Sequence, residues 1–321
     1  MCGINGIYGL EGIADPKAVV SEMNRCLAHR GPDAEGVFQK GNVAVGHRRL
    51  SIINTLEDGN QPFHSGDGQL SIVFNGELYN YIEIKAQLKD DYAFKTKTDT
   101  EVILAAYQKW GKNCLSKFNG MFAFALYDHQ KEELVLVRDR LGIKPLYLAQ
   151  IGDQLIFSSE IRALLASGLV PRKLNQDALV DYLRYQTVQG PFTLVEGVQL
   201  MPAGTMVTLS DNEMKTEVYW DLAANSSGKA QGQNTKEIQS EIREKLARSV
   251  ELRMRADVPF GAFLSGGIDS SAIVGLMAEV SDNPVSTFSV TFDESEFSEA
   301  RYAEIVAKKF NTKHHDIKLD V

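Results

Sequence analysis

The chain has 321 residues, 44% of them hydrophobic and 24% charged, with a formal net charge of −8. At roughly 100–200 residues per domain, that length predicts two domains rather than one core. The acidic balance, with no basic run, argues against nucleic-acid binding, which needs clustered Lys and Arg.

In chain order, the first two hundred residues read mostly as strands. Ile4–Tyr8, Asn42–Ile53, Leu70–Phe74, Phe122–Tyr127, Glu133–Arg138, Leu146–Ile151, Gln154–Ser158 and Thr205–Leu209 are short, rich in β-formers and bounded by Gly, Asp or Asn. Pro16–Ala28 has helical spacing, with Asp15 as N-cap and Pro16 in the first turn. Further helices are predicted at Thr100–Lys109 after Asp99, at Glu160–Ala166 and at Gln176–Arg184. Many strands with separate helices predict packed antiparallel sheets. Ala223–Thr235 (AANSSGKAQGQNT) has no apolar period and reads as a linker. Helix and strand then alternate: Ile238–Arg253, Val258–Leu264, Ser270–Val280, Val285–Phe292, Ser298–Phe310 and Lys313–Leu319. That alternation predicts a parallel α/β sheet. The expected domains are 1–215 and 237–321, joined by a linker over 216–236. Three strands make a small parallel sheet, and the chain reads as the front part of a longer protein.

Three cysteines do not make a disulfide framework, and a reducing cytoplasm is expected. Cys26 and Cys114 fall in helical patterns and read as buried thiols. The start, MCGINGIYGL, lacks the basic and long apolar segments of a signal peptide. No apolar run reaches the ~18–20 residues of a membrane span, so no membrane partner is expected.

Chemistry concentrates first around Cys2. If Met1 is removed, Cys2 carries a thiol nucleophile and, in its α-amine, a base whose reference pKa is about 7.7–8. Alone, Cys2 also reads as a small residue opening a strand. Arg49 alone reads as a surface ion-pair residue, Asp99 as an N-cap, and Asn75-Gly76 as a hairpin turn. They occur together, however, with Arg30-Gly31-Pro32-Asp33, His47–Ile52, Phe74–Asn80 (FNGELYN) and Thr98–Glu101. Phe118–Asp128 (FNGMFAFALYD), Arg138–Tyr147 (RDRLGIKPLY) and Phe157–Glu160 (FSSE) follow in order. This ordered set resembles the N-terminal-nucleophile glutamine amidotransferases of the asparagine synthetase type, across the whole first domain.

The resemblance implies an α+β sandwich of antiparallel sheets between helices, the αββα arrangement of Ntn hydrolases. It assigns Cys2, Asn75 and Gly76 to catalysis. Glutamine would be bound by Arg49, Leu50, Ser51, Ile52, Ile53, Asn75, Gly76, Glu77 and Asp99. The charges suit that substrate: Arg49 can clamp a carboxylate, and Glu77 and Asp99 can take an ammonium. Arg48 stands beside Arg49, and the family pattern R-L-S favours Arg49. The carbonyl under attack becomes an oxyanion, for which the Asn75 amide and the Gly76 N–H are the implied donors.

A second motif, Phe263–Ser271 (FLSGGIDSS), follows a strand and opens a helix, a geometry that aims backbone N–H groups at an anion. It is not a Walker A loop. Its S-G-G-x-D-S form resembles the pyrophosphate loop of ATP pyrophosphatases. Ser265, Gly266, Gly267, Ser270 and Ser271 would then hold pyrophosphate, with Leu264 and Val290 against the nucleotide and Asp269 as a Mg²⁺ ligand. Leu264 and Val290 equally read as core residues. His314 and His315 are neighbours on a strand, facing opposite ways, and read as solvated. The implied whole is a glutaminase followed by an AMP-forming domain: ATP, Mg²⁺, glutamine and aspartate as small-molecule partners, asparagine as product, and a homodimer as a family tendency. Amidation of another carboxylate, or glutaminase or glutamine-binding activity alone, are the alternatives.

Overall fold

The computed structural model describes residues 1–211, 213–225, 234–292 and 299–319. Its elements, in chain order, begin with β1 (Gly3–Tyr8), α1 (Pro16–Cys26), β2 (Ala34–Lys40), β3 (Val43–Arg49), β4 (Phe63–His64) and β5 (Leu70–Leu78). Next come α2 (Tyr81–Leu88), α3 (Asp99–Trp110), β6 (Gly120–Asp128), β7 (Glu133–Arg138), β8 (Tyr147–Ile151), β9 (Gln154–Ser158), α4 (Ile161–Ala166) and α5 (Gln176–Tyr185). After them lie β10 (Val198–Leu200), β11 (Thr205–Ser210), β12 (Glu213–Val218), α6 (Leu222–Asn225) and α7 (Thr235–Arg253). The last are β13 (Gly261–Phe263), α8 (Ile268–Val280), β14 (Ser286–Phe292), α9 (Ala300–Lys309) and β15 (Lys313–Leu319). The chain divides into two compact units, residues 1–227 and 228–321.

The first unit holds two six-stranded antiparallel sheets, ordered β10-β8-β9-β1-β3-β2 and β12-β11-β7-β6-β5-β4. Side-chain alternation along the strands builds its layers. From β6, Ala123, Ala125 and Tyr127 join Ile4, Val45 and Val73 between the sheets. Phe122, Phe124 and Leu126 face the other way, onto Val102, Ile103 and Ala106 of α3. Across the first sheet, Ile7, Ala44 and Ile156 pack on Val20 and Met23 of α1 and Leu164 of α4. The order is therefore helix, sheet, sheet, helix, the expected αββα sandwich.

Three expectations about local structure are corrected. The strand expected to end at Phe74 runs on to Leu78, and Asn75 and Gly76 pair with Ala123 and Phe122. Gly76 therefore makes no turn. It permits close approach, because a Cβ there would stand 2.3 Å from Met121 O. The strand expected over Asn42–Ile53 leaves the sheet after Arg49. At α3 the N-cap is Thr98, whose side chain accepts from Glu101 N, and Asp99 is already helical.

In the second unit, β13, β14 and β15 form a parallel sheet in that order. Val250 of α7 packs with Leu276 and Met277 of α8 and with Val285. Ala303 and Ala307 of α9 pack on Leu264 and Val274. A capping box at Asn234 and Glu237 starts α7. Of the expected linker, Asn225 ends the short helix α6 and residues 226–233 lie outside the described residues, as does Ser298 at the start of the last predicted helix. Cys114 is buried, whereas Cys26 is only half-buried. His314 is not solvated as expected: its Nδ1 stands 2.9 Å from Thr287 Oγ1, while the His315 ring stacks on Phe288. No described helix is long and apolar enough to cross a membrane.

Candidate active site

A cavity of about 290 Å³ opens where the two sheets of the first unit meet the start of α3. Cys2, Arg49, Leu50, Ile52, Ile53, Asn75, Gly76, Glu77 and Asp99 all line it. Ser51 does not; its N–H donates to Asp33 Oδ2 at 2.8 Å. The sharp departure of the chain from β3 explains this lip. A continued strand would have sent alternate residues away from the cavity.

Cys2 enters β1 with its carbonyl held by Arg30 Nε at 2.9 Å, and Arg30 Nη1 donates to Glu160 Oε1 at 3.0 Å. Its Sγ accepts from Leu50 N at 3.3 Å. Burial pushes the thiol above its ordinary range, against the pull of the Leu50 N–H. The thiol therefore needs a base to become a nucleophile at neutral pH.

Strand alternation separates the two arginines. Arg48 donates to Gly31 O at 3.0 Å and pairs with Glu35. Arg49 lines the cavity, but its fork is not free. Nη1 donates to Leu56 O and Asn60 Oδ1, both at 2.8 Å, and Nη2 reaches Asn54 O and Ile53 O. Gly59 lies against this guanidinium, where a Cβ would stand 2.4 Å from Nη2. Arg49 thus gathers the 53–60 loop around the cavity while bringing its charge to the wall.

At the other wall, buried Asp99 accepts Leu78 N at 2.9 Å. Burial, and then the neighbouring charge of Glu77, hold its carboxyl up at about 7, the Leu78 bond notwithstanding. Asn75 is 1% exposed, and neither its Oδ1 nor its Nδ2 has a hydrogen-bond partner among the described residues. An amide left so is costly unless a ligand completes it.

The far rim is organised by a residue that no motif reading singled out. Asp139, fully buried, accepts N–H groups from Phe122, Leu141, Ile143 and Lys144 at 2.9–3.1 Å. Arg138 Nε meets Lys144 O at 2.8 Å. Within Arg138–Tyr147, the first two residues thus hold the turn that brings Ile143 and Lys144 to the cavity wall. Asp139→Ala strands four donors and is expected to lower unfolding free energy by more than about 3 kcal/mol, measured by urea unfolding. Asp139→Asn, which keeps an acceptor oxygen, should fall between it and the parent.

In the second unit, Leu264, Ser265, Ser270 and Val290 line a separate hollow of about 460 Å³. Ser265 Oγ and Ser270 Oγ are 3.0 Å apart, and Ser271 Oγ donates to Gly267 O at 2.7 Å. Gly267 caps α8. Gly266 has φ +79° and a Cβ there would stand 2.5 Å from Tyr302 Cβ, so only glycine fits. Asp269 lies exposed in the first turn of α8, outside the hollow.

The sandwich is that of the N-terminal-nucleophile amidotransferases. The solved phosphoribosylpyrophosphate amidotransferase of B. subtilis matches over 98% of this chain and 65% of its own, at TM-score 0.52 and 20% identity, a likeness of fold alone. The chain belongs to the glutamine amidotransferase domain family, whose model matches residues 1–220, and the asparagine synthase model matches residues 241–321. It is 38% identical to the glutamine-hydrolyzing asparagine synthetase 1 of Bacillus subtilis, over 96% of this chain and 48% of that protein. A Methanocaldococcus jannaschii protein provisionally named glutamine-hydrolyzing asparagine synthetase 2 is also 38% identical, over 98% of this chain and 64% of its own. Amidase chry2 of Gibberella zeae is 36% identical, over 100% and 51%. The chain thus spans between about half and two thirds of these relatives' length.

Proposed function

We propose that the first unit hydrolyses glutamine through Cys2 and that the ammonia serves an ATP-dependent synthesis of asparagine begun on the second unit. The gathering of Cys2, Arg49, Asn75, Glu77 and Asp99 around one cavity, with the Asn75 amide buried and unpartnered, carries this reading. Met1 is removed, and the Cys2 α-amine takes the thiol proton. Sγ then bonds to the glutamine side-chain carbonyl carbon, whose oxygen turns to Asn75 Nδ2 and Gly76 N–H. The C–N bond breaks as the amine returns the proton to the leaving ammonia. Water cleaves the thioester, its hydroxyl joining the acyl carbon and its proton returning to Sγ. The substrate carboxylate lies toward Arg49, which acts through its charge and Nε–H, and the ammonium toward Glu77 and Asp99. Leu50, Ser51, Ile52 and Ile53 form the lip, Ser51 through its backbone.

In the second unit, Ser265, Gly266, Gly267, Ser270 and Ser271 would cradle the phosphates of ATP, with Leu264 and Val290 beside the nucleotide. The acceptor carboxylate attacks the α-phosphorus and pyrophosphate leaves. The described residues hold no cluster of three or more metal-binding side chains. A single exposed carboxylate, Asp269, suits Mg²⁺ carried on phosphate oxygens rather than in a protein cage. Three free thiols suit a cytoplasmic setting.

Aspartate is the proposed acceptor. The match to a fungal amidase favours a second reading, amidation of another carboxylate. Transfer of label from amide-¹⁵N-glutamine, with ATP and either aspartate or a panel of other carboxylates, decides between them. Label in asparagine is expected; label only in another amide overturns the aspartate assignment.

Asp99 makes glutamine binding pH-dependent. Its carboxyl, raised by burial to about 7, is largely protonated at pH 6. A substrate ammonium favours the ionised form, so binding releases a proton below pH 7. Affinity for glutamine should strengthen by up to about tenfold per unit as pH rises toward 7, then level off. Without ligand the sign for folding is opposite: a carboxyl with a raised pKa costs stability as pH rises from 3.8 to about 7. Calorimetric titrations across pH 5.5–8.5 measure the first effect. A flat profile in the parent, or the same slope in Asp99→Asn, would exclude Asp99 as the titrating partner.

A further inference from the structure

Lys144 is 4% exposed and lines the cavity beside Cys2 and Glu77. Its backbone is pinned from both sides: its N–H donates to Asp139 Oδ2 at 2.9 Å and its carbonyl accepts Arg138 Nε at 2.8 Å. The side chain has no comparable anchor. Among the described residues its ammonium forms no ion pair, and its hydrogen-bond partner is Met1 Sδ at 3.2 Å. A thioether is a weak acceptor, and a buried ammonium without a carboxylate partner is expensive. Met1 is the residue whose loss frees Cys2. Its loss would take that partner away, while the two backbone anchors of Lys144 involve other residues.

We propose that Lys144 is a positioning residue of the glutaminase site, one that acts on Cys2 by keeping its freed α-amine unprotonated. This rests on the reading of Cys2 as an N-terminal nucleophile. Two like charges in one small cavity repel, so a fixed ammonium disfavours protonation of the neighbouring amine. The amine then remains a base at and below neutral pH, where an ordinary α-amine is mostly charged.

The other charges around the pair do not supply this effect as well. Arg30 also faces the N-terminus, but it is tied to Glu160 at 3.0 Å and to the Cys2 carbonyl. Arg49 is committed to the 53–60 loop. The anions that face the pair are Asp33 on the side of the N-terminus, Glu77 and Asp139 on the side of Lys144, and Asp99 near the thiol. Asp33 and Asp139 accept backbone N–H groups, and Glu77 and Asp99 are assigned to the substrate ammonium. Burial pulls the Lys144 ammonium below its ordinary range, with Glu77 and Cys2 opposing that shift.

The test is the pH profile of kcat/KM for glutamine hydrolysis by the processed protein, with Met1 loss confirmed by intact mass. Lys144→Met keeps the side chain's length and removes its charge. Its acidic limb should move at least half a unit to higher pH, which is about a threefold loss on the limb and none on the alkaline plateau. Lys144→Arg, which restores the charge, should return the limb toward the parent. A Lys144→Met profile that overlays the parent, or a loss uniform in pH that arginine fails to repair, overturns the proposal. Cys2→Ala measured alongside separates the two readings. Activity surviving in Cys2→Ala overturns the nucleophile assignment and the Lys144 role with it. An inert Cys2→Ala with an unmoved Lys144→Met profile overturns the Lys144 role alone.

Discussion

Replacing Cys2 with alanine is expected to reduce glutamine hydrolysis by on the order of 10⁴-fold or more. In the proposed mechanism the residue supplies the attacking atom, and nothing else lining the cavity is a thiol or hydroxyl nucleophile except Thr98, the N-cap of α3, and Thr100 in its first turn. Thr98 Oγ1 is already the cap of that helix. The fold should survive the change. The Cys2 side chain touches Leu50 N and O through weak sulfur contacts, and the strand register begins at Gly3. Circular dichroism and the urea midpoint should therefore match the parent. A companion protein that retains Met1 should be as inactive as Cys2→Ala, since its amine lies one residue too far from Sγ. Hydrolysis at the parental rate by the Met1-bearing form would show that the amine of Cys2 is not the base.

How much of this was legible in the sequence depended on whether a feature is local. Glu133–Arg138 and Gln154–Ser158 were bounded correctly because their apolar runs end at charged or turn residues. Ala34–Lys40 was missed: it is an edge strand with no fully buried residue, so nothing imposes an apolar alternation on it. The helix Tyr81–Leu88 was missed because it buries only Ile84 and Leu88. Asn75-Gly76 misled for the opposite reason. The pair has the chemistry of a turn, yet the facing strand Gly120–Asp128 holds it extended, and only that partner shows why glycine is needed. Site residues named from ordered motifs fell around one cavity, Ser51 excepted. What the motifs left unsaid was the commitment of each group. That Arg49 spends its fork on the 53–60 loop, that Asp139 organises the rim, and that Lys144 stands beside Cys2 are facts of long-range packing. No residue spacing encodes them.

Asn75 offers the clearest separation of function from stability. Its side-chain amide is buried, and both polar atoms lack partners among the described residues. Such a group makes the ligand-free fold less stable than an apolar residue of the same shape would. Its retention makes sense if Nδ2 is held for an oxygen that carries charge only during reaction. Asn75→Ala is therefore expected to lower kcat for glutamine hydrolysis by about 10²–10³-fold, the usual cost of one oxyanion donor. KM should change little, because the donor meets the ground-state carbonyl weakly and the oxyanion strongly. The melting temperature should stay level or rise, since the change removes a stranded amide and adds no stranded partner. Steady-state kinetics and a thermal melt on the same preparation decide the matter. A fall in kcat of less than tenfold would remove Asn75 from the oxyanion site. A marked drop in melting temperature would show that the amide has a partner in the folded protein, and that its burial serves the fold instead of the reaction.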